Sequence, residues 1–190
     1  MKAGSFTLVA AALVGMTSAM TPSGLIPSNK ENMTVFFNTS ALATNGAAVS
    51  IAGAKTAPML ALDKNLAGKT FAVVMIDPDP KGVGNGSNAI LHWMQDGFSS
   101  SATSITIAGK TVFPLVNTKN TTAVETYLSP GPPVGSTHRY TQYLLDTTGK
   151  TTFPQAGANF SRGSFTIETF LQQINMTAFS ANFFNATGGT

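Results

Sequence analysis

Short apolar segments rich in β-branched and aromatic residues recur along the chain, each bounded by Gly, Pro, Asn or Asp. Segments of this length and composition are typical of β-strands separated by turns. No internal repeat and no shift in composition divides them, so the pattern predicts one mostly β domain over residues 20–190. The predicted strands are Thr34–Phe37, 69–76, 90–94, 104–107, 111–113 and 140–145.

One segment near the carboxyl terminus has helical spacing instead. Between residues 164 and 174, apolar side chains recur at three- and four-residue intervals and polar side chains fill the other face. The apolar members are expected to pack the helix on the sheet. Residues 108–110 predict the tight turn of a hairpin between the strands at 104–107 and 111–113.

The amino terminus has the layout of a secretory signal peptide. Lys2 supplies the positive charge, residues 6–16 form an apolar run, and Thr17, Ser18 and Ala19 are small residues of the kind found at a cleavage site. The run is too short for a transmembrane helix, which needs about 18 apolar residues. The sequence therefore predicts a signal peptide at residues 1–19, a secreted mature chain, and no integral membrane segment in that chain.

Charged residues make up only 10% of the chain, against about 25% in an average soluble domain. The 11 Lys and Arg residues are scattered singly, so they form no basic patch that would neutralise a phosphate backbone, and no nucleic-acid partner is expected. The chain has no cysteine, which excludes thiol catalysis, disulfides and Cys-ligated zinc.

Asparagine is concentrated in glycosylation sequons, which agrees with secretion. Attached sugars would offer a substitute for the missing surface charge. The alternative is that Asn, Ser and Thr simply occupy turns. The seven sequons, each with a middle residue other than Pro, begin at Asn32, Asn38, Asn85, Asn120, Asn159, Asn175 and Asn185.

Three segments carry residues capable of chemistry. A strongly apolar strand ends in Asp77 and Asp79, which alternate with two prolines that stiffen the backbone. His92 lies inside the next apolar strand, where an imidazole needs a hydrogen-bond partner such as Asp77 or Asp79. A loop rich in Pro and Gly then leads to His138 at the start of another strand. The alternative is that both histidines are hydrogen-bonded core residues.

Together these segments resemble the phosphatidylethanolamine-binding protein family, which includes the carboxypeptidase Y inhibitor type and the plant flowering-signal proteins. The motifs of the family appear here in order over residues 71–146, and 159–162 and 182–184 resemble its carboxy-terminal part. They read Asp77-Pro78-Asp79, Leu91-His92-Trp93, Gly131-Pro132-Pro133-Val134-Gly135 and His138-Arg139-Tyr140.

The resemblance implies a large central antiparallel sheet, a smaller sheet and a C-terminal helix, with a small cavity that binds anions such as phosphate headgroups. The ligand-binding residues it implies are Asp77, Asp79, His92, Gly131, Pro133, His138 and Tyr140. A carboxylate in such a cavity is expected to keep His92 or His138 protonated to higher pH. The expected partners are an anionic headgroup, a phospholipid or an acidic peptide, and also a peptidase; no cofactor and no metal are expected.

One loop departs from the family pattern. Asp79 is followed directly by Pro80 and Lys81, and then by the Gly-rich stretch 82–88, where the family often contributes an aromatic residue to the pocket rim. The stretch lacks the Gly-Lys-Ser/Thr ending of a phosphate-binding loop. A second function class also stays open, namely a hydrolase in which His92 or His138 acts as base with Asp77 as its orienting carboxylate.

Overall fold

The structure is a computed structural model, and it describes residues 21–22, 24–25, 33–38, 41–81, 84 and 88–189. The predicted signal peptide at 1–19 and the sequons at Asn32 and Asn85 lie outside these residues, as does most of the 82–88 loop. Within the described ranges the chain forms ten strands and one helix. They are β1 Thr34–Phe37, β2 Ala41–Leu42, β3 Ala47–Ala48, β4 Met59–Leu62, β5 Thr70–Asp77, β6 Ile90–Ser100, β7 Ile105–Ile107, β8 Lys110–Asn117, β9 Thr137–Asp146, α1 Ile167–Gln173 and β10 Ala178–Thr187.

The strands follow the order β2-β1-β4-β8-β6-β5-β9-β10-β3, with β7 paired to β8 beside this path. β8 links two sheets, because Phe113 and Pro114 pair with β4 while residues 115–117 pair with β6. A large sheet and a smaller one therefore share one strand, and the mostly β fold predicted from the sequence is confirmed. All pairs are antiparallel except β10 with β3, so the large sheet is mixed and not purely antiparallel.

The large sheet is covered on both faces, and β5 lies in its middle. Because successive side chains of a strand point to opposite faces, a strand buried on both faces is apolar throughout. One face packs against the smaller sheet and the other against α1 and the loops around it. From β5, Phe71, Val73 and Met75 enter the first core and Ala72, Val74 and Ile76 the second.

The helix is shorter than the sequence predicts. Ser164 has φ +58° and Phe165 pairs with Ala89 as a β-bridge, so the helix begins at Ile167. It ends before Asn175, whose φ of +52° is the left-handed conformation that closes many helices. Ile167, Phe170 and Leu171 face the sheet as expected. In the described part of the chain, no helix has the length and apolar character needed to cross a bilayer.

A buried polar network fastens β10 into the large sheet. The Nδ2 of Asn182 donates to the carbonyl oxygen of Ala43 at 2.7 Å and to Oε1 of Gln142 at 3.1 Å. Its Oδ1 accepts the backbone N–H of Asn45 at 3.1 Å. Because Asn182 is fully buried, these bonds replace the water that the amide loses. The strand was not predicted from the sequence, and this network satisfies the buried polar side chain that β10 brings into the sheet.

Candidate functional site

Asp77 is the last residue of β5, and the two strands that flank β5 begin beside it. His92 is the third residue of β6 and His138 is the second of β9. Because β5 is antiparallel to both neighbours, its carboxyl end meets their amino ends. We call Asp77, His92, His138 and Tyr140 the sheet-end site.

Asp77 and His138 form a direct hydrogen-bonded pair. The Nδ1 of His138 lies 2.8 Å from Oδ2 of Asp77, and the side chains are only 7% and 4% exposed, respectively. Oδ1 of Asp77 accepts the backbone N–H of Asp79 at 2.8 Å. Both carboxylate oxygens are thus engaged, and the imidazole is held with Nδ1 toward the carboxylate. No described residue forms a hydrogen bond with Nε2 of His138.

His92 is held in a similar way by a backbone carbonyl. Its Nδ1 lies 2.8 Å from the carbonyl oxygen of Leu128, which can only accept, so Nδ1 carries the proton. Burial lowers the pKa of His92, and this outweighs the Leu128 carbonyl and Asp77, which both favour the charged form. The expectation that a carboxylate keeps this histidine protonated to higher pH is therefore wrong for His92. Its Nε2 has no partner among the described residues.

Tyr140 joins the sheet-end site to the Pro/Gly-rich loop. Its hydroxyl oxygen accepts the backbone N–H of Gly131 at 3.3 Å. Its ring packs edge-on against His92, with centroids 5.1 Å apart, and stacks on Phe184 at 5.3 Å. Burial raises the pKa of Tyr140, and the negative charge of Asp77 raises it further, so the phenol stays protonated and can donate a hydrogen bond.

The loop at 131–135 is anchored by a residue that sequence reasoning missed. Gly131 and Pro133 are exposed at the surface, and Pro132 is buried beneath them. Gly188 donates its N–H to the Ser136 carbonyl at 2.9 Å and accepts the N–H of Gly135 at 3.1 Å. A Cβ at Gly188 would collide with the carbonyl oxygens of Pro132 and Pro133, so only glycine allows this approach.

The oxygens of Asp79 are engaged by hydrogen bonds from other residues of the chain. Its oxygens accept Nε and Nη2 of Arg139 at 2.8 and 2.6 Å, the backbone N–H of Arg139 at 2.9 Å and that of Gly84 at 2.8 Å. Burial alone would raise the pKa of Asp79, but these hydrogen bonds and the guanidinium charge outweigh it and lower the pKa. The carboxylate therefore stays ionised and ties the loop after β5 to the start of β9.

Arg162 performs a comparable role behind His92. Its Nη1 donates to the carbonyl oxygen of Leu91 at 3.0 Å, and its Nη2 donates to that of Thr126 at 2.8 Å and lies 3.0 Å from Glu125. It thus clamps β6 to the segment that contains Leu128, whose carbonyl orients His92. The role depends on chain-distant contacts, and the only sequence signal was its place in the 159–162 motif.

Among the described residues there is neither a metal-binding cluster nor a hydroxyl nucleophile paired with a histidine. No three His, Asp or Glu side chains in the described ranges come close enough together to hold a metal ion. No Ser or Thr hydroxyl in the same ranges is hydrogen-bonded to His92 or His138, so the Asp77–His138 pair has no hydroxyl nucleophile in direct contact.

The sequons in the described ranges differ in accessibility. Asn38, Asn120, Asn159 and Asn175 are exposed. Asn185 lies inside β10, is half-buried, and donates from Nδ2 to the Gly46 carbonyl at 2.9 Å. Attachment of a sugar there requires that this bond break, whereas the four exposed sites face no such cost.

Comparison with known proteins agrees with the arrangement. The chain has 17% identity and a TM-score of 0.61 with a carboxypeptidase Y inhibitor solved in complex with its cognate proteinase, covering 85% of both chains. It has 18% identity and a TM-score of 0.64 with a phosphatidylethanolamine-binding protein from Plasmodium vivax, covering 87% of this chain and 92% of that one. A phosphatidylethanolamine-binding protein from Plasmodium falciparum gives 18% identity and a TM-score of 0.56, covering 86% and 90%.

At these identities the structural likeness shows the fold alone. Among curated proteins, no sequence matches the chain. The family model described as phosphatidylethanolamine-binding protein matches residues 28–184, which include every motif of the sheet-end site. The chain therefore belongs to the phosphatidylethanolamine-binding protein family.

Proposed function

We propose that the chain is a secreted, non-catalytic binding protein whose sheet-end site holds an anionic group such as the phosphate of a lipid headgroup. One observation carries this proposal. Two imidazoles lie at one buried end of the sheet, and a hydrogen bond of the protein holds Nδ1 of each while Nε2 has no described partner. Each Nε2 becomes a hydrogen-bond donor to one small anion when its imidazole is protonated.

The charge of His92 links anion binding to pH. Because the Asp77 carboxylate lies against His138, the net positive charge that an anion meets at the site has to come from His92. His92 is neutral near pH 7 because burial lowers its pKa, and a bound anion favours its protonated form. Binding and protonation are then coupled, so affinity for an anion that does not itself titrate increases as the pH falls.

Calorimetric titration with glycerophosphoethanolamine tests the proposal, because this phosphodiester has the headgroup without the acyl chains. His138→Ala is expected to weaken binding at least tenfold, since a hydrogen bond to a charged group contributes about 1.5–3 kcal/mol. Asp77→Ala is expected to weaken binding because the His138 imidazole loses the carboxylate that orients it. Lys119→Ala, which removes an exposed cation near Gly97 at the far end of β6, is the control and is expected to bind unchanged.

Circular dichroism would verify that each variant is folded. Equal affinity of His138→Ala and the unchanged chain would contradict the proposal. The secretion part is tested separately by amino-terminal sequencing of the protein from the medium of a secreting host. A chain that is retained in the cell with residues 1–19 intact would contradict it.

A peptidase partner is the second candidate, supported by the likeness to the carboxypeptidase Y inhibitor. We expect the purified mature chain to slow carboxypeptidase Y in a dose-dependent manner. His138→Ala serves to separate the two candidates, because a protein interface outside the sheet-end site would tolerate that change. Absence of inhibition at high micromolar concentration would remove this candidate and leave anion binding in place.

A hydrolase is the alternative that the Asp77–His138 pair suggests, because a carboxylate that orients an imidazole occurs in many catalytic triads. Incubation with generic ester and peptide substrates tests it. Turnover that disappears in His92→Ala or His138→Ala would replace binding as the function of the site. No turnover above the buffer rate is the result that the binding proposal expects.

A further inference from the structure

A surface groove away from the sheet-end site runs between α1 and the start of β10. Its volume is about 510 Å³, within the range of roughly 300–1,000 Å³ typical of ligand pockets. Apolar side chains form the floor, which includes Leu171 and Met176, while Lys150 and Glu168 stand at the rim. We call it the α1–β10 groove. Neither histidine lines it.

Asn175 lies on the lip of this groove in a rigid backbone conformation. It follows the helix at φ +52°, with its N–H bonded to the Gln172 carbonyl at 3.1 Å. The N–H of Met176 bonds to the Leu171 carbonyl at 3.0 Å. These two bonds form a Schellman motif, which fixes the end of the helix and with it the position of the Asn175 side chain.

The sequon at Asn175 is chemically available. Asn175 and Thr177 are both exposed, and neither side chain forms a hydrogen bond with a described residue. The contrast is with the sequon at Asn185, where Nδ2 is bonded to Gly46 and the hydroxyl of Thr187 is paired with that of Thr137 at 2.8 Å. A transferase therefore meets a free amide and a free hydroxyl at 175–177.

We propose that Asn175 carries an N-linked glycan whose first sugars lie in the α1–β10 groove. The inference rests on the proposed entry into the secretory pathway. In the transfer, Nδ2 of Asn175 forms a bond to C1 of the sugar and loses one proton. The bond from C1 to the oxygen of a lipid-pyrophosphate donor breaks, and the pyrophosphate leaves with the electron pair.

The lining of the groove matches the chemistry of a pyranose. A sugar ring has apolar C–H faces and a hydroxyl edge. The half-buried Met176 side chain and the Leu171 side chain offer contact to the apolar face. Lys150 and Glu168 at the rim offer a donor and acceptors to the hydroxyls. A sugar in this position covers apolar surface without requiring any further charge on the protein.

The test uses the full chain expressed in a secreting eukaryotic cell line. Glycopeptide mass spectrometry measures the fraction of chains that carry a glycan at Asn175 and at Asn120. Asn120 is the control because it is also exposed and has a similar φ of +49°, but it lines neither this groove nor the cavity beside Phe160. An endoglycosidase then acts on the folded protein. We expect release from Asn175 to be at least tenfold slower than from Asn120, and equal release after denaturation.

Two variants separate glycan loss from a direct effect of the substitution. Asn175→Gln and Thr177→Ala both remove the sequon, and the second keeps Asn175 itself. Each is expected to lower the melting temperature of the secreted protein by several degrees, while Thr122→Ala, which removes the sequon of Asn120 and keeps that residue, leaves it unchanged within about one degree. Made without glycosylation in a bacterial host, Thr177→Ala is expected to show no such difference, and Asn175→Gln retains only the cost of Gln at φ +52°.

Three results would overturn the inference. A secreted chain with sugar at Asn120 and none at Asn175 refutes it and leaves secretion standing. Equal release from both sites on the folded protein shows that the glycan does not lie in the groove. A chain that never enters the secretory pathway refutes this inference together with the proposed secretion, while anion binding at the sheet-end site is unaffected.

Discussion

Replacement of Asp79 by alanine should destabilise the fold more than replacement of an aspartate in an exposed ion pair. The carboxylate is 1% exposed and accepts three hydrogen bonds from Arg139 and one from Gly84. Removal of one partner from a buried ion pair costs about 3–5 kcal/mol, because the other charge stays buried without compensation. The Arg139 side chain is 17% exposed, so we expect the lower end, about 3 kcal/mol.

Asp146→Ala is the matched control, since it removes the same side chain from an ion pair near the surface. Asp146 and its partner Lys69 are 27% and 44% exposed, and Oδ1 of Asp146 also accepts the N–H of Thr148 at 3.0 Å. Exposed pairs contribute about 0–1 kcal/mol, so this variant should lose about 1 kcal/mol. Equilibrium urea unfolding of the mature protein measures both values from the transition midpoint.

A mutant cycle with Arg139→Ala identifies the cause of the loss. Because Asp79 acts mainly through Arg139, the double variant should be more stable than the sum of the two single losses predicts. Additive losses would show that the stabilisation does not depend on this pair. A loss in Asp79→Ala no larger than that in Asp146→Ala would refute the reasoning altogether.

Three further predictions concern the same end of the sheet. Folding lowers the pKa of Asp79, so the stability that its charge contributes is present above the ordinary pKa of an unfolded Asp and is lost as the pH falls through the folded pKa. Asp79→Asn lacks this charge at every pH. Its melting temperature should therefore fall less than that of the unchanged chain when the pH drops below about 4. The pKa of His92, followed by NMR of the imidazole, should lie below the ordinary value of about 6.5, and a value above it would contradict its burial. Gly188→Ala should cost about 1–3 kcal/mol and weaken anion binding, whereas Gly189→Ala, whose added Cβ meets nothing within 4 Å, should change neither.

The strands that were predicted from the sequence are those whose own composition favours a strand. β1 matches its prediction, β5 is shifted by one residue, and β6 and β9 are longer than predicted, because their β-branched and aromatic residues fit a buried sheet. In β10, Phe and Thr alternate irregularly with Ala, Ser and Asn, which have little preference for strands. The buried Asn182 of this strand has partners about 140 residues away in the chain, which no local pattern reveals.

The candidate site could be predicted in part, because local sequence motifs mark some of its residues and long-range contacts place the others. Asp77, His92, His138 and Tyr140 are brought together by strand order, and their motifs mark the strand ends that meet. The roles of residues that act through long-range contacts could not be predicted, as the Arg162 clamp shows. Asp79 was predicted to bind ligand because it belongs to the Asp-Pro-Asp motif. Its hydrogen-bond partner is set by the folded chain and could not be identified from the local sequence.

The position of β10 has a consequence for the way the chain folds as it is made. It is the last strand in chain order, yet it lies between β9 and β3 and not at an edge of the sheet. Until it is synthesised, β9 has an open row of backbone donors and acceptors, and the turn at 43–45 lacks its partner. Sheet edges of this kind recruit other chains. Completion of the sheet therefore waits for β10, and we expect chains that stop before β10 to aggregate more readily than the full chain.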